Sequence, residues 1–178
     1  MQPIETTYNG YKFRSRLEAR WAVFLESIGA SGASYAYEHE GYDLNGIWYL
    51  PDFWVPSWNS FIEIKPEEPR PEEEQKCELL SKLSGKKVIL LCGNPWPGEY
   101  FAMHFPMHPE EELRGELWQC EQCKIVHFSA IDCNGNMWAM WPLWSKGCSH
   151  CGNTDSVSVT DELMAAFTTA RQVRFDGK

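Results

Sequence analysis

At 178 residues the chain has room for one domain of ordinary size plus a small appended module. A hydrophobic share of 43%, an aromatic share of 14% and nine Trp argue against disorder, since that much apolar surface can offset the entropy of folding. A net charge of -9 argues against a sequence-independent DNA coat, whose affinity would come from Lys and Arg, and no apolar run approaches the ~20 residues of a membrane span.

Tyr8-Asn9-Gly10-Tyr11 predicts an opening β-hairpin, because Asn-Gly tolerates the positive φ angles of a two-residue turn. From Arg16 to Ile28, the apolar residues Leu17, Trp21, Phe24, Leu25 and Ile28 recur at helical spacing, with Ser15 as N-cap and Gly29 just past the end. Three β-rich stretches follow, Tyr35 to Leu44, Trp48 to Val55 and Asn59 to Lys65, and they read as an antiparallel meander. Pro71 starts an acidic helix that runs to about Leu83, with proline and acids suited to the positive end of the helix dipole. Val88 to Cys92 is a continuous apolar run, as in a strand buried on both faces. A strand around Tyr100 to Phe105, a change of composition at Met107 and a final helix from Asp161 to Ala170 complete the reading.

The expected domains are a core over 1–107, a metal-stapled module over 108–158, and a C-terminal helix and tail over 159–178 that pack on the core. Charge is uneven along them. Glu67, Glu68, Glu72, Glu73, Glu74 and Glu78 outnumber Arg70 and Lys76 in one stretch, whereas Lys12, Arg14, Arg16 and Arg20 make the N-terminal segment locally basic. The opening residues lack the basic start and apolar stretch of a signal peptide, and unpaired cysteines suit a reducing compartment, so a cytoplasmic location is expected.

Pro51-Asp52 on one strand and Glu63-Ile64-Lys65 on the next form the most informative constellation. Residues two apart in a strand share a face, so Glu63 and Lys65 project together while Ile64 faces the core, and a hairpin would bring Asp52 to them. Two carboxylates and an ammonium suit phosphodiester hydrolysis. Asp52 and Glu63 can bind Mg²⁺ or Mn²⁺ through hard oxygens, with the Ile64 carbonyl as a third ligand, and Lys65 can orient water and offset transition-state charge. The plainer alternative is a turn aspartate and a solvated strand edge. Glu18 likewise has two readings, a metal-site carboxylate or the closing member of a Ser15-x-x-Glu18 capping box.

Cys120-x-x-Cys123 and Cys148-x-x-Cys151 are two pairs with the spacing of a closed tetrahedral Zn²⁺ site. The gap between them leaves room for a hairpin through Ile125 to Phe128 and Met137 to Met140. Gly152 after the second pair favours a tight knuckle, and a redox role lacks the surrounding βαβ pattern. His127 and His150 are possible replacements for a thiolate, though packing or surface roles suit them better. Trp138, Trp141 and Trp144, near Lys124 and Lys146, would either fill the small core of such a ribbon or stack on bases. Cys133 has no partner at ligand spacing.

The order of residues 8 to 21, then Tyr37-Glu38-His39-Glu40, Tyr49-Leu50-Pro51-Asp52-Phe53, Ile62-Glu63-Ile64-Lys65 and finally Ala170 to Phe175, resembles phage-associated members of the PD-(D/E)XK nuclease superfamily. Some of these are labelled primase- or topoisomerase-associated. The resemblance implies an α/β (α+β) restriction-endonuclease-like core, a central mixed sheet flanked by helices, with the zinc ribbon inserted. It implies catalysis by Glu18, Asp52, Glu63 and Lys65 and DNA as substrate, in the host cytoplasm where the chain is phage-encoded. A homodimer or a replication or defence protein is a compatible partner. Two alternatives stand beside it: a nucleic-acid-binding protein that keeps the fold without strong catalysis, and a zinc-ribbon adaptor.

Overall fold

A computed structural model describes residues 3–28, 34–97, 100–105, 108–131, 137–139, 148, 150–153 and 157–175. Among them the chain is a mixed α/β protein with three α-helices and three sheets, the largest of nine strands. The hairpin of β1 (Thr6–Tyr8) and β2 (Tyr11–Phe13) turns at Asn9 and Gly10, with φ of 45° and 81°. Helix α1 (Arg16–Ser27) starts at Ser15, whose Oγ accepts from the Glu18 amide at 3.1 Å. Its buried side chains Trp21, Phe24 and Leu25 pack in the main core, and Gly29 lies outside the described residues.

The expected meander is replaced by two structures. Strand β3 (Ala36–Tyr37) pairs with β6 (Phe53–Val55) at one edge of the large sheet, while β4 (Tyr42–Asp43) and β5 (Trp48–Tyr49) form a separate hairpin. Two physical causes break the longer strands. Glu38 takes a left-handed backbone with φ 46° directly after β3, held by its amide bond to the Asp52 carbonyl at 2.9 Å. Between β5 and β6 stands Pro51, which has no N–H to donate to a ladder.

From β6 a 3-10 turn, Pro56–Trp58, with Asn59 at φ 47°, leads into β7 (Ser60–Lys65), antiparallel to β6. Helix α2 (Pro71–Ser84) then crosses over to β8 (Lys87–Cys92), which runs parallel to β7 with Lys65 opposite Cys92. Alternation divides these strands between two cores. Ile62, Ile64, Ile89 and Leu91 face α1, whereas Phe61, Val88 and Leu90 pack with Cys77 and Leu80 of α2. Glu63 shares the parity of Phe61 and so stands on the α2 side.

The large sheet continues beyond β8 through β9 (Tyr100–Phe105), β10 (His108–Cys120), β11 (Val126–Ile131) and β12 (Met137–Ala139), all antiparallel, with β13 (Val157–Ser158) beside β10. The change of composition at Met107 therefore falls between two paired strands rather than between separate sheets. Leu117 and Val126 belong to the main core, and Trp58 Nε1 donates to the Val126 carbonyl at 3.0 Å. Helix α3 (Asp161–Gln172), capped by Thr160 Oγ1, returns to α1, where Phe167 stacks on Phe24 at 4.5 Å. The tail follows it, with Phe175 edge-on to Tyr8 at 6.0 Å.

Candidate active site and metal centre

The hairpin β6–β7 and the crossover to β8 bring Asp52, Glu63 and Lys65 to one end of the sheet. Asp52 is 3% exposed and sits between two groups of side chains. Its Oδ2 accepts from the Ile64 amide at 2.7 Å, and its Oδ1 accepts from Arg14 Nη2 at 2.6 Å. On the α2 side, Lys65 Nζ lies 2.8 Å from Glu63 Oε1 and 3.6 Å from Glu73 Oε1. The other Glu63 oxygen, Oε2, is buried and has no hydrogen-bond partner. On the α1 side, Glu18 Oε2 accepts from the Tyr37 hydroxyl at 2.7 Å and from the Arg14 amide at 3.2 Å.

Both readings of Glu18 have a structural counterpart. Ser15 Oγ accepts from its amide and donates to its Oε1 at 2.7 Å, so Glu18 belongs to the helix cap. Its second oxygen bonds the Arg14 amide rather than the Ser15 amide of a standard capping box. The same carboxylate is buried close enough to Asp52 to oppose its ionisation.

Burial drives the pKa of Asp52 well above its ordinary value of 3.8, with Glu63 and Glu18 adding to the rise and the Ile64 amide and Arg14 opposing it. Burial works against charge on Lys65, but Glu63, Asp52 and Glu73 outweigh it and raise its pKa. Lys65 is therefore a fixed cation rather than a proton donor near neutrality. Burial also opposes ionisation of Glu73, yet the Arg70 amide and guanidinium, with Lys65, bring its pKa down to about 2. The site thus holds two cations, Arg14 and Lys65, among the carboxylates of Glu18, Glu38, Asp52, Glu63 and Glu73, with Glu38 Oε1 2.8 Å from Arg14 Nε.

At the other end of β10 the two Cys pairs fold into matching knuckles. The Lys124 amide donates to the Cys120 carbonyl at 2.8 Å, and the Gly152 amide to the Cys148 carbonyl at 2.8 Å. Each closing residue has positive φ, 62° at Lys124 and 74° at Gly152. The four sulfurs lie within 4.8 Å of one another, with Cys120 to Cys151 at 3.7 Å and Cys123 to Cys148 at 3.4 Å. Tetrahedral thiolates at ~2.3 Å from zinc would stand ~3.8 Å apart. The cluster can therefore bind a metal ion such as zinc, and it is the sole His, Cys, Asp or Glu group this compact among the described residues. Burial works against a thiolate at Cys120, but the amides of Cys123 and Gln122 lower its pKa to about 6. Burial and the neighbouring thiols instead push Cys123 up to about 12, as expected where close thiols cannot all ionise without a cation among them. His127 packs beside the cluster, 3.2 Å from Cys148 Sγ and stacked on Trp118 at 4.5 Å.

No family model, curated protein or solved structure matches the chain. Its own residues carry the functional argument. Arg14, Tyr37, Glu38 and Glu73 join the site without having been singled out by spacing. Their nearest sequence signals were the basic run before Glu18 for Arg14, the Tyr37-Glu38-His39-Glu40 stretch of the resemblance for Tyr37 and Glu38, and the acidic start of α2 for Glu73. Cys133, Trp141, Trp144, Lys146 and the side chain of Trp138 lie outside the described residues.

Proposed function

We propose that the chain is a metal-dependent DNA endonuclease with a restriction-endonuclease-like core, hydrolysing phosphodiester bonds with Asp52, Glu63 and Lys65 and with Glu18 in support. The observation that carries this reading is the buried, unpartnered Oε2 of Glu63 beside Asp52 and a charged Lys65. Besides Lys65, the donor near that carboxylate is the Tyr49 hydroxyl, which makes no hydrogen bond of normal length to Oε2. A buried carboxylate oxygen so poorly satisfied is costly, and a divalent cation would satisfy it. The donor set is all oxygen, as Mg²⁺ or Mn²⁺ prefers.

Asp52, Glu63 and the Ile64 carbonyl would hold that ion, which when bound polarises a phosphoryl oxygen and lowers the pKa of water. The protein's own groups do the rest. The Ile64 amide fixes Asp52, and Glu63 and Glu73 hold Lys65 where its ammonium can reach a phosphate oxygen or the attacking water. Tyr37 and the Arg14 amide orient Glu18 toward the same end of the sheet. The site lies where the parallel pair β7–β8 ends, a place where open α/β sheets leave a crevice. The four-cysteine cluster would bind zinc and staple the far end of β10.

A second reading, an adaptor that binds a protein partner, is favoured by Trp48, which is 72% exposed on the detached β4–β5 hairpin. Incubation with supercoiled, linear and single-stranded DNA in Mg²⁺, Mn²⁺ or neither separates the two. The nuclease reading expects metal-dependent cleavage that Lys65→Ala abolishes while the fold and the zinc content stay intact. No cleavage of any of these substrates would refute it.

A further inference from the structure

Beyond the reacting residues, a loop next to them gathers basic and aromatic groups from three elements. The Gly93 amide donates to the Lys65 carbonyl at 2.8 Å, which ties the loop after β8 to the last residue of β7. Trp21 Nε1 of α1 donates to the Gly93 carbonyl at 2.9 Å, and Arg20 Nη1 of α1 to Asn94 Oδ1 at 2.7 Å. From α3, the Arg171 guanidinium lies 3.9 Å from the centroid of the Trp96 ring, and that ring is 55% exposed. The loop is held in place by hydrogen bonds, and its aromatic side chain is backed by a cation.

The charges flanking the site are divided. Arg20 on α1 and Arg171 on α3 stand on one side, brought there by Asn94 and Trp96, and have no ion-pair partner among the described residues. Glu67, Glu68, Glu72, Glu73 and Glu74 crowd the start of α2 on the other. A polyanion entering this site is repelled by the α2 flank and attracted by the α1–α3 flank. The Nε donors of Arg20 and Arg171 are also buried without a hydrogen-bond partner. An exposed indole beside guanidinium groups matches what unpaired bases and their phosphates need, since stacking requires a base out of its duplex.

We propose that Arg20, Trp96 and Arg171 form a subsite for single-stranded DNA next to Lys65, Trp96 stacking one base and the two arginines holding flanking phosphates. The proposal takes the polymer from the nuclease reading, but its test does not depend on cleavage. Binding of a fluorescent single-stranded oligonucleotide, and of a duplex of equal length, is followed by anisotropy in Ca²⁺ and without chelator, so that the cysteine cluster keeps its metal. Gel analysis checks that the strands stay whole.

Trp96→Ala should weaken single-strand binding at least ~5-fold, as loss of one stacked base does, with the salt dependence unchanged. Arg20→Gln and Arg171→Gln should each flatten the slope of log K against log salt by about 0.7, one phosphate contact per residue. Arg171→Lys should restore that slope, which a merely structural role would not do. Lys12→Gln, which removes a basic residue on the β1–β2 hairpin, should change neither affinity nor slope. Unchanged affinity and slope in the Trp96 and both arginine variants overturns the subsite, as does equal or tighter binding of the duplex. If wild type binds as described but cuts nothing, the subsite stands and the nuclease reading falls. If wild type cuts DNA while the variants bind as wild type, the reverse holds.

Discussion

Asp52→Asn should stabilise the metal-free protein and at the same time remove its response to divalent cations. In the folded chain Asp52 is buried among like charges, with Glu63 and Glu18 both raising its pKa. As a general scale, at an effective dielectric of about 20 a like charge ~6–8 Å from a carboxylate costs about 2–3 kcal/mol. The substitution gives up the bond from Arg14, which is half exposed, so that pair is worth only ~0–1 kcal/mol. An asparagine oxygen can still accept from the Ile64 amide. The balance is a gain of about 1–3 kcal/mol, or ~2–12 °C in Tm for a chain of this length.

The sign can be followed with pH. A carboxyl whose folded pKa is raised destabilises the fold only where it would otherwise ionise. The advantage of Asp52→Asn should therefore be absent below the ordinary value of 3.8, grow as pH rises, and level off above the raised folded value. Conversely, a cation bound at Asp52 and Glu63 should stabilise wild type by about 2.7 kcal/mol at a hundred times its Kd, an increase of ~5–11 °C. Differential scanning fluorimetry of zinc-loaded protein, with and without Mn²⁺ from pH 4 to 8, reads both effects. A fall in metal-free Tm for Asp52→Asn at pH 7, or a wild-type Tm indifferent to Mn²⁺, would refute the reasoning.

Three further substitutions probe the frame around the site. Tyr37→Phe removes a hydroxyl that donates to Glu18 and accepts from the Arg14 amide, and should cost about 1.5–3 kcal/mol in urea unfolding. Trp58→Phe leaves the buried Val126 carbonyl without its indole donor, which should cost about 1–3 kcal/mol and loosen β11 in hydrogen exchange. Cys148→Ser removes one of four thiolates and should abolish stoichiometric zinc in elemental analysis, with a large loss of stability. Retention of one zinc per chain in that variant would contradict the four-thiolate site.

Local signals were legible where the physics is local. Asn9-Gly10 made its turn, Ser15 capped α1, Pro71 opened α2, and the cysteine spacing gave two knuckles closed by residues of positive φ. The pairing of β6 with β7 followed from turn chemistry, and it brings Asp52 to the Ile64 amide. What depended on distant partners was not legible. Nothing in Tyr37 or Glu38 announces that one orients Glu18 and the other turns the chain and binds Arg14. The detached β4–β5 hairpin was hidden because aromatic residues with strand propensity run straight through Pro51. The abrupt change in composition near Met107 suggested a separate module, whereas backbone pairing carries the sheet across it from β9 to β10. Glu73 was counted only among the acids at the start of α2, although a contact across the crossover places it 3.6 Å from Lys65.

The most direct measurement of the central claim is the initial rate of nicking of supercoiled DNA in saturating Mn²⁺ by wild type, Glu63→Gln and Lys65→Ala, each with matched zinc content. If Glu63 and Lys65 act on the reacting phosphate, each substitution should lower the rate by about 10²-fold or more, in line with loss of one transition-state electrostatic group. Glu63→Gln should melt close to wild type, whereas Lys65→Ala, which leaves Glu63 and Glu73 without their cation, should melt lower yet stay folded at the assay temperature. Equal rates in all three proteins, or no nicking by wild type, would contradict the account.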